Sequence, residues 1–192
     1  MVAYMKKNIE YMLGNKNDNK YFDLAEKANE YIDKEEYKKA EEILLEASKL
    51  NKEGYYQIAE MYRYISIEEA IKKYEVAYEK GVTKAASNIG SYYFINKDTE
   101  KAKIWIQKAI DGGDVNSNFH MGELYDNARD LKKAYEYYSK AANNKNAVAM
   151  FSVGEIAFEL GEEKLGKYWY NRILTELGIE NLTSQILKNI NG

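Results

Sequence analysis

Two short patterns recur in step along this chain, and together they leave very few architectures open. A small residue stands at Ala40, Ala70, Ala102, Ala134 and Gly166, at steps of 30, 32, 32 and 32 residues. Seven residues after each comes Ala47, Ala77, Ala109, Ala141 or Ile173. A second block precedes each of these, beginning at Leu24, Ile58, Ile89, Met121 and Val153, and its next residue is also small: Ala25, Ala59, Gly90, Gly122 or Gly154. Self-similarity at a period near 32 is the mark of a stacked repeat. In the third cycle Ala102, Ile106, Ala109 and Ile110 fall at three- and four-residue spacing, as one buried helical face requires, and Ala134, Tyr137, Tyr138 and Ala141 do the same in the fourth. Around Lys108 and Asp111 the chain turns polar, and Gly112 and Gly113 are suited to ending the helix.

Each cycle therefore reads as two amphipathic helices. One such hairpin cannot bury its apolar stripe, but stacked hairpins cover one another. The expectation is an all-α fold, a right-handed α-α superhelix (solenoid) of about five helical hairpins with a C-terminal capping helix. Residues 1–19 read as an N-terminal helix or arm, 20–178 as the repeat array and 179–192 as the cap, where Leu182, Ile186, Leu187 and Ile190 have one-face spacing. No internal linker divides the array. Glycine inside a helix costs about 0.5–1 kcal/mol relative to alanine. Its return at Gly90, Gly122 and Gly154 predicts close backbone approach within each hairpin. Tyr62, Tyr93 and Tyr125, three residues beyond the small position, are expected to fill the space beside it, with Ala28 and Ala157 in the outer cycles.

Composition agrees and narrows the function. The chain has no proline, so obligatory helix breaks are few, and no cysteine, which excludes disulfides and thiolate chemistry. Charge is nearly balanced, 28 Lys+Arg against 31 Asp+Glu for a net −3, which gives no long-range attraction for nucleic acid or an anionic membrane. Lysines interleave with glutamates as on a solvated helical surface, and no basic stripe emerges. Nothing approaches the roughly 20 apolar residues that cross a bilayer. The start of the chain lacks the pattern of a secretory signal, so the expected compartment is the cytoplasm.

The stretch from Ala141 and Ala142 through Asn146 to Val153 and Gly154 resembles the junction of Sel1-like repeats, where paired alanines lead to a Leu-Gly after a fixed interval. Ala77 to Gly90 and Ala109 to Gly122 keep the same 13-residue interval. Asp98 before Ala102 and Asp130 before Ala134 resemble that family's Asp-x-x-Lys/Arg-Ala element, and Trp105-Ile106, Tyr137-Tyr138 and Trp169-Tyr170 its aromatic pair. The Gly-rich connection usual between Sel1-like helices is missing. Only 12 residues separate Gly122 from Ala134, as in a tetratricopeptide repeat. The resemblance covers about residues 20–178, most strongly 82–170. It implies a chain that binds peptides or proteins and is not an enzyme.

There is no HExxH, Walker A, GxGxxG, GxSxG or EF-hand pattern. His120 is the single histidine, which excludes a multi-histidine metal site, and its neighbours Phe119 and Met121 place it at a helix contact or groove edge. Pairs such as Glu26/Glu30 and Glu155/Glu159 share one helix face and read as solvated, not as convergent acid and base. Asp111 to Asp114 lacks the alternating ligands of a calcium loop. No catalytic residue, cofactor or metal is expected.

The exposed positions of each first helix should line the inner surface. With the small residue as reference, positions three before and one, four and five after supply Phe22 and Glu26, then Tyr56, Glu60, Arg63 and Tyr64, then Ser91 and Phe94. The fourth hairpin supplies Phe119, Glu123 and Asp126, and the fifth Phe151, Glu155, Phe158 and Glu159. Aromatic anchors among polar neighbours are what an interface needs. Phe119, Phe151 and Phe158 alternatively pack against the preceding hairpin. The carboxylates, opposed chiefly by Arg63, predict a protein or peptide partner with a basic and apolar segment. Two other readings compete: an accessory regulator or inhibitor of a partner enzyme or toxin, and a homo-oligomer, a homodimer through the apolar N-terminal arm being one form.

Overall fold

The structure, a computed structural model, describes residues 16–177, and every regular element among them is an α-helix. The ten helices are α1 (Lys16–Ile32), α2 (Tyr37–Ser48), α3 (Glu53–Tyr62), α4 (Ile67–Glu79), α5 (Ala85–Ile95), α6 (Thr99–Asp111), α7 (Ser117–Asn127), α8 (Leu131–Asn143), α9 (Ala147–Glu159) and α10 (Glu163–Leu177). They pair in order as five hairpins. The N-terminal arm before Lys16 and the capping helix expected at 182–190 lie outside the described residues. Packing separates two compact units, one ending at Ile89 and the other beginning at Gly90, within α5.

In the first unit α1 packs on α2, α3 on α4, and α2 on α3. Ala28, Ala40, Leu44, Ile58 and Met61 form its core, with Tyr31, Tyr37 and Tyr62 against them. In the second unit α6 packs on α7, α7 on α8, α8 on α9 and α9 on α10. One cluster joins Ala102, Ile106, Met121 and Leu124, and another runs from Ala134 and Tyr138 to Trp169, Tyr170 and Ile173. The repeated alanines at 40, 70, 102 and 134 are fully buried, which explains why the repeat tolerates nothing larger there.

The repeated glycines mark the crossing points, but the residues that occupy them differ from the expectation. A Cβ on Gly122 would lie 2.5 Å from the Tyr138 ring, one on Gly154 2.4 Å from the Tyr170 ring, and one on Gly90 2.7 Å from the Ile106 side chain. Each occupant sits on the second helix, four residues after its small position. Tyr93 and Tyr125 leave the crossing because three residues along an α-helix is a rotation of about 300°. The Tyr125 ring instead stacks on Tyr137, centroids 5.5 Å apart and planes 9° apart. Gly166 breaks the alanine series for a similar reason. Its missing Cβ leaves room for the Phe158 ring, which would come within 2.6 Å.

Local chemistry fixes where the second helices begin. Asp98 accepts the backbone N–H of Lys101 at 3.2 Å and pairs with its ammonium at 3.1 Å, while that ammonium lies 5.1 Å from the Tyr93 ring centre. Asp130, Lys133 and Tyr125 repeat this at 3.2, 3.3 and 5.0 Å. The aspartate satisfies a free helix N–H and its charge suits the helix N-terminus. The lysine side chain bonded to Asp98, joined by the cap N–H, holds that carboxyl below its ordinary range. Lys97 and Arg129, just before these caps, have φ near +60°. Lys145, one residue before the Asn146 cap of α9, does too. An L side chain is strained there, at roughly 1–3 kcal/mol per position.

Alanine at Gly122 or Gly154 should lower stability by about 1–2 kcal/mol, overpacking outweighing the gain in helix propensity. Glycine at Lys97 or Lys145 should raise it by about 0.5–1 kcal/mol, by relieving the left-handed strain. Urea unfolding followed by circular dichroism measures both, and equal midpoints for the wild type and Gly122→Ala would contradict the crossing geometry.

Candidate functional site

The outward stripe of each first helix carries the residues selected from the sequence, and each unit presents its own part. In the first unit Phe22 is half-buried, edge-on to Tyr21 at 5.4 Å, and Glu26 is exposed. Glu60 is the hub of the α3 stripe. Its Oε1 accepts the Tyr74 hydroxyl and the Asn88 amide at 3.1 Å, and its Oε2 accepts Arg63 Nη1 at 3.0 Å. Asn88 also donates to the Tyr56 hydroxyl at 2.9 Å, so α5 is tied to α3 through two groups. Tyr56 lies against Tyr74 at 5.5 Å, with the Lys84 ammonium 4.1 Å from its ring centre. The Arg63 guanidinium covers the exposed Tyr64 ring at 5.4 Å.

In the second unit Ser91 and Phe94 are half-buried on α5, and Phe94 faces His120 at 6.1 Å. His120 packs on Phe119 and its Nδ1 lies 2.9 Å from Glu123 Oε2. Phe119 rests on Tyr138 at 5.5 Å, and Asp126 and Ser152 meet the Tyr138 hydroxyl. Phe151 stacks on Tyr170 at 5.7 Å and Phe158 leans on the same ring at 5.4 Å. The Tyr170 hydroxyl donates to Glu155, and Arg129, at the turn after α7, pairs with Glu159 at the end of α9.

Two features of this surface were not foreseen. Phe119, Phe151 and Phe158 each set their ring against a tyrosine on the second helix of their own hairpin, and each remains half-buried. Arg63 is not the chief counterweight to the carboxylates. Glu60 and Glu155 receive buried tyrosine hydroxyls, Asp126 lies beside that of Tyr138, Glu123 has His120, and Glu159 has Arg129. The donors Tyr74, Tyr138 and Tyr170 were legible as one register position, since they and Ile106 stand 32 residues apart. Where that position is Ile106, the residue after the paired glycine is Ser91 and not an acid. Asn88, His120 and Ser152 likewise share one position, two residues before the small one.

Burial first, then nearby carboxylates, push the phenols of Tyr56 and Tyr138 above the ordinary tyrosine range. The same causes bring Tyr62, whose hydroxyl donates to Glu41 at 2.8 Å, up to about 12. Among the described residues no group of three or more His, Asp or Glu gathers to hold a metal. Asp114 takes the N–H of Asn116 at 3.0 Å and the hydroxyl of Ser117 at 2.8 Å, which ties down the turn before α7. No described helix is long and apolar enough to cross a membrane.

Residues 83–111 and 115–148 match the tetratricopeptide repeat family. Over these residues the chain is similar to that family, as two repeats in tandem. The matched region falls inside the stretch where the Sel1-like resemblance is strongest. No curated protein sequence matches the chain. Among solved structures, MamA is similar with a TM-score of 0.60 at 19% identity, over 85% of this chain and 97% of that one. PilF of Pseudomonas aeruginosa gives 0.64 at 14% identity, over 91% and 83%. The protective antigen c5321 of uropathogenic Escherichia coli, described as displaying an SLR fold, gives 0.60 at 24% identity, over 79% of this chain and 39% of that one. These likenesses bear on the fold alone, an all-α hairpin solenoid. Tetratricopeptide-like repeats are typically non-catalytic scaffolds that bind proteins or peptides.

The raised phenols have a consequence at alkaline pH. A folded-state pKa above the unfolded value of 10.0 means the native chain holds the proton more tightly. That contribution to stability is complete below about pH 10 and is lost as pH rises toward about 12 for Tyr62 and beyond that for Tyr56 and Tyr138. Tyrosinate absorbance should therefore rise in two phases, the second coinciding with loss of helical circular dichroism. A single smooth titration of all tyrosines with helicity intact would contradict it.

Proposed function

We propose that this repeat protein is a cytoplasmic, non-catalytic scaffold that captures a protein or peptide segment carrying lysine or arginine beside an apolar anchor. The observation that carries the proposal is the α7 and α9 stripe of the second unit. Phe119, Phe151 and Phe158 are half-buried there, held by Tyr138 and Tyr170, and are flanked by Glu123, Asp126, Glu155 and Glu159. Aromatic rings already fixed in place lose little freedom on binding, which favours a preformed surface. The carboxylates are held as well. Glu155 is exposed while its Oε1 takes the Tyr170 hydroxyl, so a partner cation meets a charge that is already oriented. The cytoplasmic placement rests on the sequence alone.

Charge reversal tests this at two exposed carboxylates, and because Glu155 also accepts the hydroxyl of the buried Tyr170, circular dichroism and urea unfolding of the double variant establish that its hairpin is intact. The wild type, Glu155→Lys/Glu159→Lys, and Lys132→Glu as a control on an exposed residue of α8 would each be used as bait in a lysate of the source organism. A partner retained by the wild type and the control, lost by the double variant, and bound more weakly as salt rises is the expected outcome. Capture indifferent to the double variant and to salt would overturn the electrostatic part of the reading. Failure of all three baits to retain any protein would overturn the whole.

A further inference from the structure

The first hairpin ends in a surface that differs from the same place in the later ones. A depression of about 410 Å³ opens between the start of α1 and the end of α2, lined by Lys20, Glu42, Leu45, Glu46, Lys49 and Leu50. Leu45 and Leu50 are 42% and 37% exposed. Leu45 lies five residues after the fully buried Ala40. The corresponding positions after Ala70, Ala102, Ala134 and Gly166 are Glu75, Gln107, Ser139 and Asn171, all polar. An apolar residue at the one position where its counterparts are hydrophilic, beside a second exposed leucine, marks a surface meant to be covered.

The neighbouring sequence supplies an occupant. In residues 1–13, Met5, Ile9, Met12 and Leu13 have the spacing of one apolar helical face. Lys6, Lys7 and Glu10 complement Glu42, Glu46 and Lys49 on the rim. Only Gly14 and Asn15 separate Leu13 from Lys16, the first residue of α1, and Lys20 in the wall is one helical turn further on. The segment therefore joins the described chain beside the depression. We propose that residues 1–13 seat in cis on Leu45 and Leu50 and close this end of the first hairpin.

The absence of native cysteine makes a direct test available. Three full-length variants would each pair Leu45→Cys with Met5→Cys, Ile9→Cys or Met12→Cys, and would be oxidised at low protein concentration. At least one pair should form a disulfide within a single chain, seen as a monomer whose mass is two hydrogens lower and whose two cysteine peptides stay joined until reduced. Disulfide-linked dimers would show that the segment seats on a second copy and would overturn docking in cis. Absence of a cross-link from all three pairs, with helicity at the wild-type level, would overturn the proposal altogether. Should Leu45→Cys itself lose helicity, Leu50→Cys takes its place with the same three partners.

Discussion

Everything in this molecule depends on how closely the two helices of a hairpin approach each other. At Gly122 and Gly154 the backbone of the first helix lies directly against a tyrosine ring of the second, nearer than any Cβ would allow. The contact sets the register within the hairpin, because only one residue in a turn can be glycine at the crossing. It also sets the identity of the residue four positions after the small residue of the second helix, which must be large enough to fill the space. Leu44, Tyr74, Ile106, Tyr138 and Tyr170 are five answers to that one requirement, and all are buried.

Choosing tyrosine rather than leucine or isoleucine at this position carries a second obligation. The ring satisfies the crossing, but its hydroxyl is delivered toward the outer stripe of the first helix, where it needs an acceptor. Glu60 and Glu155 meet that need directly, and Asp126 and Ser152 lie beside the Tyr138 hydroxyl. The acidic character of the stripe is thus partly a result of packing beneath it. A carboxylate used this way is not lost to binding, since an oxygen can accept more than one hydrogen bond and the group keeps its charge. It gains a fixed orientation, which an unsupported surface glutamate lacks.

The hairpins were legible in the sequence because burial acts on residue size at a constant period. Ala40, Ala70, Ala102 and Ala134 declare themselves through composition alone, and so does Gly90, Gly122 and Gly154 as a series. Asp98 and Asp130 were equally plain, a cap being a local interaction between residues three apart. What stayed hidden was direction. Tyr125 and Tyr138 both belong to periodic series, and spacing says that each packs, not which helix it packs against. The split was decided by rotation about the helix axis, which sends Tyr125 toward Tyr137 and leaves the glycine to Tyr138. The carboxylate partners were missed for a related reason. Tyr170 and Glu155 are 15 residues apart, and nothing short of the hairpin geometry brings them together.

This division has a bearing on which residues are free to define a partner. Gly166 and Phe158 show the constraint at its tightest: the ring occupies the space that alanine fills in the other hairpins, so neither can change without the other. Phe158 also shares the Tyr170 ring with Phe151, so a substitution at either aromatic alters the support of the other. Glu159 is different. Its contact is with Arg129, a solvent-exposed pair between a turn and a helix end, and such pairs contribute little to stability. Specificity in this stripe is therefore carried most freely by residues like Glu159 and Glu26, which no buried ring depends on, while the aromatic positions fix where a partner sits. A hairpin repeat built on tyrosine crossings separates the two tasks in this way, anchoring through groups the core has already immobilised and discriminating through charges the core does not need.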